Sequence, residues 1–593
     1  MAEEKLKRVE VDCDFCVVGG GLAGTFAALS AARRGVRTVL IQDRPMPGGN
    51  CSSEIRMWIR GAVQPFRKET GLISEFEQRN IYYNPALNAS LGDATLYAML
   101  SENPFVDAYF NCSVFDLKMK GDRIHSVTGW QMTTYTLITV RAKLFADCSG
   151  DSILAPLSGA HYTVGREDRR KYDESLAFSA PDKKTMGLSL ILSARETPAR
   201  VNFTPPTFAR LYVDDNDIED ASSIHRDTLC RSHDIRNNDN LWWIELGGDG
   251  DSLHDADKVR GELMSCVYGV WDHIKNHGDH GMENFDLDWA GCLPGKRESL
   301  RYVGDYVLTQ RDLESGGDFY DEVAYGGWPM DDHDPEGLKR ADAVASRQIR
   351  LPEVYGIPYR SLYSENIPNL LFAGRNISVS HVALSSSRVM ATCALEGQAA
   401  GEAAALALER RVSPRRVLKY IGELQQRLIF AGVFLPHTQR QYTKLSLSAQ
   451  LNMSREERAR LFSGVERPVT RYGENDITVR EGESLVFEWK EKQFIKGIHL
   501  VFDEGLDREW LPGKLKKFAY RLHSFLSDRP LEVYAGMIKG FCIFADGKKV
   551  FEEDNNFLAL RNISLNVEAK KLSVVWTKLR KEGGARVFAA DVW

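Results

Sequence analysis

The chain has 593 residues, 43% hydrophobic and 27% charged, with a formal net charge of −6. That length suits about three to four domains, and the composition is that of ordinary globular protein rather than a disordered chain. A net negative chain gives no electrostatic reason to expect nucleic acid or an anionic membrane as partner, so small molecules or neutral polymers are expected instead.

No run approaches the roughly 18 apolar residues of a membrane span, and the polar start Met1–Val9 lacks the apolar core of a signal peptide, so a cytoplasmic location is expected. Ten cysteines scattered over this length do not form a disulfide framework. Cys13 and Cys16 make a CxxC, but both lie in the β-branched run Val11–Val18, which reads as a strand. Side chains three apart on a strand point to opposite faces, so two small buried residues are expected rather than a redox pair.

The first chemical signal follows directly. The run Asp14–Val18 reads as a buried strand, residues 25–34 read as a helix ended by Gly35, and Arg37–Ile41 reads as the next strand. Between the first strand and the helix sits Gly19-x-Gly21-x-x-Gly24, with Leu22 and Ala23 at the helix start. Gly19 permits the tight turn, Gly21 lets backbone approach a pyrophosphate, and Gly24 lets helix pack on strand. At the end of the second strand, where an acidic residue ordinarily takes the ribose hydroxyls, stands Gln42, with Asp43 one residue later. An amide can bond a ribose without the charge assistance of a carboxylate.

Three later stretches choose between nicotinamide and flavin. The loop Arg44–Glu54, carrying Gly48, Gly49 and Asn50, resembles the Gly-Gly loop of glutathione-reductase-type FAD domains. Leu144–Asp151 resembles the element that closes the first FAD-binding unit, and Asn369–Ser378 resembles the late strand reaching the ribityl chain and flavin. Together with Gly295–Ser299, Gly304–Leu308, Gly356–Ser361 and Arg388–Cys393, these stretches resemble the FAD-dependent oxidoreductase family distantly related to fumarate reductase and L-aspartate oxidase, over residues 12 to 410.

The resemblance implies FAD, with Gly19, Gly21 and Gly24 on the pyrophosphate and Gly49 and Asn50 beside the ribityl and flavin. Val114, near the end of an expected strand Ala108–Val114, takes the adenine position, while Gly150, Asp151, Gly374 and Arg375 line the middle of the cofactor. The helix beginning at Val389 aims its positive end at the flavin pyrimidine ring. Cys51, inside the loop, is either a thiol near the flavin or a small packing residue.

The expected fold class is α/β: an FAD-binding Rossmann-like domain, residues 1–165 and 356–410, with an inserted α+β substrate or cap domain at 166–355. A helical segment at 411–467 follows, and beyond it strand-like runs at 468–593 read as a β-sandwich that loosely resembles a galactose-binding jelly roll. Such a domain either binds glycan or completes an assembly. In the cap, Trp242 and Trp243 either stack on substrate or are buried, and His273 and His277 lie one helical turn apart without the glutamate of HExxH, so no metal is assigned.

Among polar residues near the expected flavin, His381 is the leading acid/base candidate, Arg388 a carbonyl- or anion-binding candidate, and one of Arg297, Glu298 and Arg301 a substrate ligand. His333, beside two aspartates, is a weaker candidate. One dinucleotide fingerprint implies that electrons pass between the substrate and a separate acceptor or donor, and no cysteine spacing suggests an iron–sulfur cluster. The leading function is hydride transfer between flavin N5 and a small organic substrate, by oxidation of a hydroxyl on a sugar or glycoside. Fumarate-reductase-like reduction of an activated C=C bond and a glycan-binding protein with structural FAD are the alternatives.

Overall fold

The computed structural model describes residues 6–213, 243–277, 280–340, 343–469, 475–505 and 530–593. A five-stranded parallel sheet runs in the order Leu370–Phe372, Leu144–Asp147, Phe15–Val18, Thr38–Ile41 and Val106–Tyr109. Its three inner strands and the edge strand Leu370–Phe372 are buried at every residue, as expected when helices cover both faces of a parallel sheet. The helix Leu22–Arg33 packs against the long late helix Met390–Arg410 through a seam of small residues. A Cβ built on Gly397 would stand 2.0 Å from the Ala23 carbonyl, and one on Gly401 2.3 Å from the Ala27 carbonyl. Only glycine allows the two backbones to lie this close.

Two expected strands are each divided. Lys7–Asp12 pairs in parallel with Thr136–Arg141 in a separate four-stranded sheet, while Phe15–Val18 enters the main sheet. Asp14 stands at the break, tied to Arg37 at 3.3 Å and Lys143 at 2.8 Å. Likewise Val106–Tyr109 and Cys112–Lys120 are separated by Asn111, whose φ of +52° is incompatible with a continuous strand. Cys13 and Cys16 are both buried.

Inserted between the late strands is a unit with its own apolar core, built on the helix Ala256–Asn276 and including Leu188, Trp243, Leu263 and Trp271. Trp243 is buried there, whereas Leu241 and Trp242 lie outside the described residues. At the end of that helix His277 meets Asp272 at 3.3 Å and His273 Nε2 lies 3.1 Å from His280 Nε2. Among the described residues no group of three or more His, Cys, Asp or Glu side chains is arranged to hold a metal ion. Nor, among them, is any helix long and apolar enough to cross a membrane.

Short helices occupy the segment after Arg410, and the C-terminal strands join one seven-stranded antiparallel sheet. Its strand Ser484–Phe502 has 19 residues, which at ~3.3 Å per residue would extend about 60 Å if straight. Yet Phe502, at its far end, lies 6.1 Å ring to ring from Trp576, which pairs at its near end. The ribbon therefore doubles over, helped by register shifts after Glu488 and Ile495, and encloses Phe487, Phe541 and Trp576 between its halves. This unit docks on the FAD domain where Phe557 stacks on Tyr82 at 4.0 Å and the Ala559 N–H donates to Gln78 at 2.7 Å.

Candidate functional site

A cavity of about 1200 Å³ opens at the carboxyl ends of the parallel strands and extends under the inserted unit. Its first stretch is the glycine turn. Gly19 has a φ of +96°, and a Cβ there would meet Ser149 backbone at 2.5 Å; a Cβ on Gly24 would stand 1.7 Å from the Gly19 carbonyl. Gly21 differs, because its nearest neighbour would be Gly49 Cα at 4.0 Å, so the space beside it belongs to the cavity. Helix Leu22–Arg33 starts at Gly21 without a side-chain cap, leaving its positive end facing a cleft lined by Leu22 and Ala23.

Gln42, Asp43, Gly49, Asn50, Val114, Gly150, Asp151, Gly374 and Arg375 all line the same cavity. Gln42 uses its amide oxygen at 2.6 Å on the Gly20 N–H, holding the glycine turn closed, while Asp43 is exposed at the wall with its carboxylate available to a ribose. Asp151 accepts from Arg375 at 2.7 Å, Lys296 at 2.8 Å and Ser299 at 2.8 Å. Burial pushes its carboxyl up, but Arg375 and Lys296 outweigh that and hold it below the ordinary range. Arg375 also explains Gly150, since a Cβ there would meet its guanidinium at 2.3 Å. Gly374 donates its N–H at 2.9 Å to Glu396, whose carboxyl is pushed well up by burial.

These residues fit FAD. Beyond the open cradle at Gly21, Arg44 Nη1 and Arg375 Nε are buried donors on the cavity wall without a hydrogen-bond partner, which a phosphate or ribose oxygen would satisfy. The late helix begins at Val389, again without a side-chain cap, and Val389 and Met390 line the cavity. Cys51 lies beneath the wall, fully buried, donating to the Gly48 carbonyl at 3.1 Å; burial pushes its thiol well up, so it serves packing rather than redox chemistry.

The chemistry-bearing stretch lies under the inserted unit. His333, at the end of the strand Met330–His333, places Nδ1 2.7 Å from Glu245 Oε2 and Nε2 3.4 Å from Asp331 Oδ2. Arg297 meets the same Glu245 oxygen at 3.1 Å and donates to Ser189 at 2.8 Å. Burial raises the Glu245 carboxyl, but Arg297 and His333 bring it below its ordinary value. Arg388 donates to the Asp331 carbonyl at 3.0 Å and to its carboxylate at 3.3 Å. Despite burial, His333 and Arg388 hold Asp331 well below the carboxylate range. His333, Asp331, Arg297 and Arg388 line the cavity with Trp58, Arg60 and Trp328. Arg388 Nε and Asp331 Oδ1 are buried without a partner there, one donor and one acceptor.

His381 and Arg301 are placed elsewhere. Neither lines the cavity. His381, 2% exposed, sits between Glu298 at 3.0 Å from Nδ1 and Asp332 at 3.2 Å from Nε2. Burial lowers its pKa, yet these two carboxylates raise it to about 10, so the ring is an imidazolium with no lone pair for a substrate proton near neutrality. Arg301, fully buried, donates at 2.7 Å each to Glu298, Glu167 and the Gly165 carbonyl. Both belong to an internal ion network behind the cavity wall, where the structure places them apart from the lining residues. Glu245 and Asp331 went unassigned in the sequence; the signal for Asp331 was the run Asp331-Asp332-His333, whose successive side chains point to opposite faces of what proves to be a strand, so that Asp331 and His333 share one face.

Solved structures similar to this chain include a geranylgeranyl bacteriochlorophyll reductase-like protein from Thermoplasma acidophilum, 12% identical over 71% of this chain and 86% of that one, with a TM-score of 0.28. The flavin-dependent brominase Bmp2 is 9% identical over the same shares, with a TM-score of 0.33. The L-proline dehydrogenase from P. horikoshii is 19% identical with a TM-score of 0.16, and the match spans 24% of each chain. The sequence model of the FAD dependent oxidoreductase family matches residues 14–428, more than half of the chain. With the glycine cradle and the unpartnered donors of the cleft, that match makes this chain a member of the FAD-dependent oxidoreductase family, an enzyme whose cofactor is FAD.

Proposed function

We propose that the enzyme oxidises a hydroxyl group of a polyhydroxylated substrate, a sugar or glycoside, with His333 as proton acceptor. The observation that carries this reading is the Glu245–His333 pair on the cavity wall, a base oriented by a buried carboxylate. Bound FAD would supply the two-electron acceptor for the hydride leaving the carbinol carbon. Nδ1 of His333 faces Glu245 at 2.7 Å and Nε2 faces Asp331 at 3.4 Å, so the ring stands between two carboxylates. In its neutral form it would take the hydroxyl proton at Nε2 by exchanging the longer Asp331 contact for the substrate oxygen. Glu245 then stabilises the imidazolium that forms.

Arg388 Nε supplies a charged donor for the oxygen that becomes a carbonyl, and Asp331 Oδ1 an acceptor for a neighbouring hydroxyl. A donor and an acceptor side by side, both buried, suit vicinal hydroxyls better than a hydrocarbon, which would leave both unsatisfied. Trp58 and Trp328 give the pocket apolar walls against which a ring could rest. Electrons leave to a separate acceptor.

Anaerobic addition of sugars and glycosides to the yellow protein tests the reading: some member of the panel should bleach the flavin, and His333→Asn should retain flavin absorbance but bleach at least about 10²-fold more slowly. Absence of bleaching by every hydroxyl compound, with reoxidation of the dithionite-reduced protein by an enoate, would instead establish C=C reduction.

A further inference from the structure

The cavity does not stop at His333. Its wall continues along Thr185, the loop Asp249–His254 and Gln348, none of which belongs to the cofactor cleft or surrounds the histidine. The chain itself joins this stretch to the reacting centre. The loop Asp249–His254 follows the short strand Glu245–Leu246 that supplies the histidine's partner. Gln348 pairs in register with Asp331, so both side chains stand on one face of the same ribbon. The Thr185 N–H donates to the Gly248 carbonyl at 2.8 Å, fastening the third wall to that loop.

Thr185 carries the chemical information. It is 2% exposed and lines the cavity, yet its hydroxyl has no hydrogen-bond partner. A buried hydroxyl in that condition is costly, and a ligand hydroxyl or ring oxygen would satisfy it. Around it the wall offers the neutral Gln348 amide, the Asp249 carboxylate and the Asp251 carboxylate, which already accepts from the Leu253 and His254 N–H groups and meets His254 Nδ1 at 2.8 Å. Lys183 stands beside them, so donors and acceptors for hydroxyl groups alternate along the wall. Lys184 is already occupied by Glu336 at 3.2 Å, and Asp249 by Lys339 at 3.0 Å. The cavity of about 1200 Å³ runs without interruption from the glycine turn to this stretch, so one continuous space joins the cofactor cleft, the His333 region and the Thr185 wall.

We propose that this cap-side stretch is a second binding subsite, for a neutral sugar unit glycosidically joined to the unit presented to His333. The substrate is then a disaccharide or larger glycoside rather than a free monosaccharide. The proposal rests on the reading that the enzyme oxidises a sugar hydroxyl, and the test separates the two. Anaerobic flavin reduction is titrated with matched pairs of monosaccharide and disaccharide, in the wild-type holoenzyme and in Thr185→Val. The wild type should be half-reduced at about 10-fold lower disaccharide than monosaccharide, and in Thr185→Val that preference should fall to about twofold, the size of effect that one or two lost hydrogen bonds produce.

Equal half-saturation for the two sugar lengths in the wild type, or a preference unchanged by Thr185→Val, overturns the subsite. If no saccharide reduces the flavin, disaccharide binding followed by perturbation of the oxidised flavin spectrum decides: binding that Thr185→Val weakens sustains the subsite while the oxidation reading falls, and no binding overturns both.

Discussion

His333 and Glu245 stand 88 residues apart in the chain and 2.7 Å apart in the fold, nitrogen to carboxylate oxygen. Neither residue makes a base alone: the imidazole needs a fixed tautomer, and the buried carboxylate needs positive partners to stay ionised. Glu245→Gln keeps the shape and removes the charge. Flavin reduction by a competent substrate should slow by about 10²-fold, and because Arg297 loses its counter-charge the variant should also be less stable. Rapid-mixing absorbance and a thermal melt read the two effects separately; an unaltered rate would remove the pair from the mechanism.

His381 predicts a stability signature rather than a kinetic one. Its folded pKa, about 10, lies above the ordinary histidine value, so the folded state holds a proton the unfolded chain releases. The stabilisation is complete below about pH 6.5 and is lost as pH rises toward about 10. In His381→Asn the decline of the denaturant midpoint over that window should be shallower than in the wild type. Parallel curves would mean that the ring is neutral in the folded protein.

The glycines of the turn should fail in different ways. Gly24→Ala places a methyl 1.7 Å from the Gly19 carbonyl, so the protein itself should lose about 2–4 kcal/mol, seen as a lower unfolding midpoint even without cofactor. Gly21→Ala meets nothing closer than 4.0 Å and should fold normally, but its methyl occupies the cradle, and FAD retention on gel filtration should drop. Equal destabilisation of the two apo proteins would contradict this division of labour.

In the C-terminal unit, Trp576→Ala removes the fully buried indole on which the folded ribbon closes. A loss of about 3–5 kcal/mol is expected for that unit, with the flavin absorbance retained because the FAD domain has a separate core. Calorimetry should show one transition moving while the cofactor-linked one stays. Loss of flavin in step with the shifted transition would show the two units to be energetically one.

What could be read from the sequence was what local geometry dictates. Gly24 announces the turn because a side chain there would strike the Gly19 carbonyl within the same turn, and the spacing carries Gly19 and Gly21 with it, although Gly19 is constrained by Ser149 and Gly150 by Arg375, both distant in the chain. Two strand readings overran because Asp14 and Asn111 break the chain through an ion-pair cluster and a left-handed backbone angle, neither visible in an apolar pattern. His381 looked like the base because it follows the ribityl strand, but its protonation is set by Glu298 and Asp332 from distant elements. His333 looked like an ordinary loop residue because Glu245, the partner that gives it a role, arrives from another strand.

The seam in which Gly397 and Gly401 rest on the carbonyls of Ala23 and Ala27 has one more consequence. The helices whose starts face the two ends of the cofactor cleft are locked backbone to backbone, and a Ser30 hydroxyl donating to the Gln398 carbonyl at 3.0 Å pins them against sliding. FAD is thus held by a single jaw that cannot open along its length.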